Sequence, residues 1–291
     1  MRTALVSFSL LATVSALYGC ATASTSTSTK AATETAPPTA PAAVATRPEM
    51  GIRAGRVAGY LADKDVPDSS VLSAPPPAPG SAAQALDEEV SRKYLAMQGT
   101  PRWQLAINDA NLTFPQAAQT FSCVLNAPVS ETQTPVLYSL LRKALTDAGR
   151  STAPAKNVYK RQRPFMVNGK PLCTPDTEDI LRKDGSYPSG HSAAGAAWSL
   201  ILAEISPDQS EAILARGRQY AQSRLVCNVH WYSDTVEGMA MGAATVAKLH
   251  ADPVFQSDLA KASKELQAIR AKGLPVERDC AAEAAALKNP G

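Results

Sequence analysis

From Ser192 to Ala203 the chain carries no charged side chain; the run is Ala, Ser, Gly, Leu and Ile with one Trp. A segment without a polar face has to be buried, and this one reads as a helix with the rest of the domain packed around it. Composition agrees. Aromatics are only 5% of the chain while Ala is abundant, which suits close helix packing better than a β-sandwich. Helical periodicity bounded by caps or breakers recurs at 82–98, 101–110, 136–147, 234–250 and 253–271. Ser206-Pro207 is a cap followed by a first-turn proline, starting a helix that runs to about Arg224. The stretch 165–187, with its Gly and Pro, reads as a loop. The expectation is one all-α helical-bundle domain of about 220 to 240 residues.

Three short segments bring chemistry to the ends of these helices. They are Lys156-Asn-Val-Tyr-Lys-Arg-Gln-Arg163-Pro164, Pro188-Ser189-Gly190-His191 and Ser223-Arg224-Leu-Val-Cys-Asn-Val-His230-Trp-Tyr-Ser-Asp234. Lys156 and Arg163 are seven apart, which on a helix puts them two turns apart on one face, and Pro164 is expected to end that helix. Ser189 is a good N-cap for the buried helix, and Gly190 lets a ligand approach the backbone. Free N–H groups and the positive dipole end there suit an anion. Arg224 offers a planar fork that matches two phosphate oxygens. Asp234, one helical turn beyond His230, can accept the Nδ1 proton and leave Nε2 free to attack. His191 is then available to protonate a leaving oxygen. This inventory fits phosphoryl transfer through a histidine and calls for no metal or cofactor. Any single cation or histidine would be read as a surface or packing residue, as His250, Trp103 and Trp198 are. The three segments in order carry the reading.

Lys-x6-Arg-Pro, Pro-Ser-Gly-His and Ser-Arg-x5-His-x3-Asp resemble the signature of the phosphatidic acid phosphatase type 2 (PAP2) superfamily. Within it the chain resembles the class A bacterial nonspecific acid phosphatases. Pro75-Pro-Pro-Ala-Pro-Gly-Ser81, Asp109-Ala-Asn-Leu112, Gly185-Ser-Tyr-Pro-Ser-Gly-His191, Gln222-Ser-Arg-Leu-Val-Cys227 and Leu249-His-Ala-Asp-Pro253 carry that finer likeness, over roughly residues 66 to 268. The resemblance implies an all-α fold, a phosphohistidine on His230 and no metal requirement. It also implies a cradle of Lys156, Arg163, Ser189, Gly190 and Arg224, and phosphomonoester substrates such as nucleotides, sugar phosphates or aryl phosphates. Transfer of phosphate to alcohols is a natural side activity. Vanadium haloperoxidases share the cradle, so a vanadate-dependent haloperoxidase remains an alternative, as does a surface lipoprotein that binds phosphate without turnover.

Arg2 followed by a largely apolar run from Ala4 to Ala16 reads as a secretory signal rather than a membrane span, and residues 1–20 are assigned to it. Leu17-Tyr18-Gly19-Cys20 resembles a lipoprotein cleavage box with Cys20 lipidated, while Ala21-Thr-Ala23 offers an ordinary cleavage site. Residues 21–48, rich in Ser, Thr, Ala and Pro, read as a low-complexity tether, and 49–291 as the phosphatase domain. The expected location is the periplasm, with a lipid on Cys20 as an outer-membrane anchor. Cys123, Cys173, Cys227 and Cys280 form an even set in an exported chain, which suggests two disulfides with three open connectivities; buried free thiols are the alternative. No apolar run reaches the ~18 residues of a span. A net charge of +3 gives no support to nucleic-acid binding, and whether the chain forms a homo-oligomer stays open.

Overall fold

The computed structural model describes residues 57–288. The secretory signal at 1–20, Cys20, the tether at 21–48 and the first residues of the assigned domain lie outside the described residues. Among the described residues nine helices of seven residues or more follow in order: α1 (Ala82–Leu95), α2 (Pro101–Asp109), α3 (Pro135–Ser151), α4 (Ala153–Tyr159), α5 (Gly190–Ile205), α6 (Ser210–Val226), α7 (Tyr232–Leu249), α8 (Pro253–Lys272) and α9 (Cys280–Leu287). Among the described residues there is no β-strand, and no helix is long and apolar enough to cross a membrane.

The uncharged run forms α5, and it sits at the centre, packed against α7, α6 and α3. Trp198 on α5 is buried, and its indole N–H donates to the Leu141 carbonyl on α3 at 2.8 Å. Phe121, Leu137, Leu140, Tyr220 and Phe255 complete the main core around it. Each such side chain withdrawn from water contributes on the order of 1.5–3 kcal/mol. The helix starts follow capping chemistry. Side chains of Ser81, Thr100, Ser189, Asp252 and Asp279 accept from backbone N–H groups of the first turns of α1, α2, α5, α8 and α9.

Several expectations need correction. Lys156 and Arg163 do not share a helix. α4 ends at Tyr159, Lys160 caps it in the left-handed region at φ 45°, and Arg163 is the extended N-cap of a new short helix, Pro164–Asn168. Proline is at home in a first helical turn and forces the residue before it to be extended, so Pro164 starts a helix instead of ending one. His230 likewise precedes α7, and Asp234 lies in that helix's first turn. The expected loop at 165–187 also holds a short helix, Glu178–Leu181. Pro207 opens a 3₁₀ turn, with α6 beginning at Ser210. Beyond the resemblance, α9 packs on α2, tied down by the Cys123–Cys280 disulfide and by Glu283, which accepts from the buried Arg216 at 3.1 Å.

Candidate active site

The loop from Lys160 to Pro188 and the segment 227–231 bring the three motif segments together at the N-terminal ends of α5 and α7. Ser189 N donates to the Asp234 backbone carbonyl at 2.9 Å, so the starts of these two helices are joined directly. Ser186 N donates to Arg161 O at 2.9 Å and Phe165 N to Asn228 O at 3.2 Å. The Cys173–Cys227 disulfide then fastens the 165–187 segment to the end of α6, just past Arg224. The even cysteine count is thus accounted for by two bridges, one of them behind the site.

His230 is buried, and its Nδ1 lies 3.3 Å from Asp234 Oδ2. A carboxylate accepts only, so Nδ1 carries the proton and Nε2 holds the lone pair. Nε2 in turn accepts from Arg163 Nη1 at 3.0 Å. Burial, then the charges of Arg163, Lys156 and Arg224, hold His230 well below the usual histidine pKa; a backbone hydrogen bond with Ser186 opposes them. That is the neutral form a nucleophile needs. Asp234 is fully buried, which pushes its pKa up; Arg161 acts the other way, donating to Oδ1 at 2.6 Å, as does Trp231 N, donating to Oδ2 at 2.8 Å.

His191 is more open and differently held. Its Nε2 lies 2.9 Å from the Ala110 carbonyl at the end of α2, so Nε2 carries a fixed proton and Nδ1 is the atom free to titrate. Burial and the neighbouring Arg224 press its pKa well below the usual value, although the Ala110 bond resists.

The cations differ among themselves. Arg163 spends its guanidinium on Leu181 O, Asp184 O, Val229 O, His230 Nε2 and Asp184 Oδ2, at 2.9 to 3.2 Å. Lys156 Nζ bonds Asp184 Oδ2 at 3.1 Å and the Gly185 carbonyl. Arg224 is buried, its Nε has no hydrogen-bond partner, and its Nη1 reaches only Cys227 Sγ at 4.0 Å. Burial lowers its pKa to about 10, which leaves it charged at acid and neutral pH. A buried guanidinium without a carboxylate costs several kcal/mol unless an anion completes it. Ser189 Oγ accepts from Ser192 N and Ser192 Oγ, so its own hydroxyl hydrogen is left to donate outward, beside the N–H groups of Gly190 and His191.

All eight residues singled out in the sequence belong to this cluster. Three supporting groups were not read there: Arg161, which bonds Asp234, Ser233 (2.8 Å) and Asp87 (2.7 Å); Asp184; and the Ala110 carbonyl. Arg161 lies inside the Lys-x6-Arg-Pro spacing, but nothing in a sequence separates it from a surface cation. Among the described residues no group of three or more His, Cys, Asp and Glu could hold a metal ion.

A histidine oriented by a carboxylate, a second histidine with one free nitrogen and an unpaired buried guanidinium define a site for phosphoryl chemistry. Comparison with known proteins agrees. Residues 134–255 match the PAP2 superfamily. The non-specific acid phosphatase of Salmonella typhimurium is 40% identical over 205 residues, covering 69% of this chain and 82% of that protein. The acid phosphatase of Zymomonas mobilis is 38% identical over 203 residues, or 70% and 77% of the two chains, and the non-specific acid phosphatase of Providencia stuartii 38% over 212, or 72% and 86%. The chain belongs to the PAP2 superfamily, in the group of the non-specific acid phosphatases.

Proposed function

We propose that the chain is an exported acid phosphatase that hydrolyses organic phosphomonoesters through a phosphohistidine on His230. The observation that carries this is Arg224, a buried guanidinium with no carboxylate partner among the described residues, near enough for its charge to act on a His230 whose Nδ1 is held by Asp234. Lys156, Arg163, Arg224, Ser189 Oγ and the N–H groups of Gly190 and His191 bind the phosphoryl oxygens, where charge gathers in the transition state. The His230 Nε2 lone pair forms the N–P bond as the P–O ester bond breaks. Nδ1 of His191 gives its proton to the departing alkoxide. Water then attacks phosphorus, Nδ1 takes its proton, and the N–P bond breaks with its electron pair returning to His230. An alcohol in place of water makes the reaction a transfer. Arg163 Nη1 must leave Nε2 for a phosphoryl oxygen before attack. The apolar leader supports a periplasmic location, with a lipid tether if Cys20 is the cleavage point.

The test is hydrolysis of p-nitrophenyl phosphate at pH 5 to 6 with a chelator present. Turnover that survives the chelator is expected; turnover lost with the metal and restored by adding it back would overturn the scheme. Halide oxidation with added vanadate would point to the peroxidase reading instead.

The pH profile gives a second check. The general acid must be protonated, so activity falls as pH rises through the His191 pKa. That pKa is depressed in the free enzyme, which sets the alkaline limb of kcat/KM below about 6.5. A bound phosphoryl dianion favours the imidazolium, so the limb in kcat should lie at higher pH. Limbs at the same pH in both profiles would remove His191 as the acid.

A further inference from the structure

Among the described residues, Asp184 is the one carboxylate in contact with the cations of the cradle. Its Oδ2 accepts from Lys156 Nζ at 3.1 Å and from Arg163 Nη2 at 2.9 Å, so two of the three cations already face an anion of the protein itself. Its side chain is 40% exposed whereas that of Arg163 is 2% exposed, so the carboxylate meets solvent while the guanidinium is buried. Leu181 O and Asp184 O share the Nε–H of Arg163, Val229 O and His230 Nε2 take Nη1, and Gly185 O lies 3.5 Å from Nη2 beside the Asp184 carboxylate, so every nitrogen of Arg163 already faces an acceptor. An incoming phosphate oxygen reaches Arg163 through the Nη1 N–H now held by His230 Nε2 or the Nη2 N–H held by Asp184, and either way it shares Arg163 and Lys156 with the Asp184 carboxylate.

We infer that Asp184 is a built-in competitor for oxyanions, a positioning residue that aims Lys156 and Arg163 while weakening the cradle's hold on phosphate, so that product leaves. The inference rests on the reading of Lys156, Arg163 and Arg224 as a phosphate cradle. Two like charges sharing the same pair of cations repel, and inside a partly buried site that repulsion is only partly screened. Asparagine keeps the size of the side chain and an acceptor oxygen for the two cations but removes the charge. If Asp184 only scaffolds the cations, its loss weakens phosphate binding; if it competes, its loss tightens binding.

The experiment compares inhibition by inorganic phosphate in wild type and Asp184→Asn at pH 5.5, using p-nitrophenyl phosphate turnover as the readout. The Ki for phosphate should fall by about tenfold or more, KM should fall with it, and kcat should drop as release slows. Asp184→Ser, which also removes the charge, carries the same expectation. A Ki that is unchanged or raised in both variants would overturn the role of Asp184 and leave the cradle standing. A wild type that turns over substrate but does not respond to phosphate would overturn the cradle reading and the inference together.

Discussion

His230→Ala should lose turnover of p-nitrophenyl phosphate by at least about 10³-fold while still binding phosphate or vanadate. The two halves of that result come from different parts of the site. Lys156, Arg163 and the start of α5 are held by contacts that do not run through His230: Arg163 by the carbonyls of Leu181, Asp184 and Val229, Lys156 by Asp184 and Gly185, and Ser189 by its bond to the Asp234 carbonyl. On the proposed mechanism, removing the imidazole takes away the attacking nitrogen and leaves the proposed anion cradle in place. It also frees Arg163 Nη1, which loses its Nε2 acceptor, so anion affinity should hold or improve. The measurement that separates this from a general loss of structure is a covalent trap. An N–P bond to imidazole survives alkali and is hydrolysed by acid, so quenching wild type with labelled substrate into alkali should leave label on the protein. His230→Ala should carry none. Label on the variant, or residual turnover within tenfold of wild type, would move the nucleophile elsewhere.

How far the sequence could be read depended on whether a residue's partners are local. α5 was legible because twelve uncharged positions in a row, Ser192 to Ala203, leave a helix no choice but burial, and because Ser189 caps it, its Oγ accepting from Ser192 N three residues on. His230 and Asp234 were legible because four residues separate them, although the geometry is that of a pre-helix residue bonded to a first-turn carboxylate and not of two residues on one helix face. Asp184, Arg161 and the Ala110 carbonyl were not. Each meets its partner across a separation of 21 to 81 residues, set by the path of the segment 160–188 and by how α2 packs on α6. The arrangement around Pro164 was misread because a proline ends one helix or begins another according to what precedes it, and Lys160 had already left the helix through a left-handed cap. The disulfide pairing depended on the same folding path. His250, by contrast, stays outside the site in a surface and packing role: its Nε2 lies 3.1 Å from Glu204 Oε2 and its ring is edge-on to Phe255.

Gly238→Ala, far smaller in chemical terms than any change to a histidine, should cost both stability and activity. Gly238 sits on α7 where that helix crosses the start of α5. A Cβ added there would overlap the Ser189 carbonyl oxygen and come within 2.9 Å of Ser192 Cβ and 3.2 Å of the Ser189 carbonyl carbon. One turn on, a Cβ at Gly242 would meet Ala196 Cβ at 2.8 Å, so the two helices approach backbone to side chain along a shared seam. A flexible side chain could swing aside, but a carbonyl carbon held in a capped helix start cannot, and α7 must move away from α5. Overpacking of this kind costs about 1–3 kcal/mol, and for a domain of this size each kcal/mol lowers Tm by roughly 2–4 °C. The activity loss follows from position. Ser189 N bonds the Asp234 carbonyl, so the start of α5, which carries Ser189, Gly190 and His191, keeps its place relative to His230 through this same crossing. A shift near 1 Å between the two halves of a reacting site costs on the order of 10²-fold in rate. Thermal unfolding and kcat/KM measured together should therefore both fall. An unchanged Tm would mean the helices do not meet at Gly238, and a lowered Tm with wild-type kcat/KM would mean that the crossing stabilises the fold without setting the distance between His191 and His230.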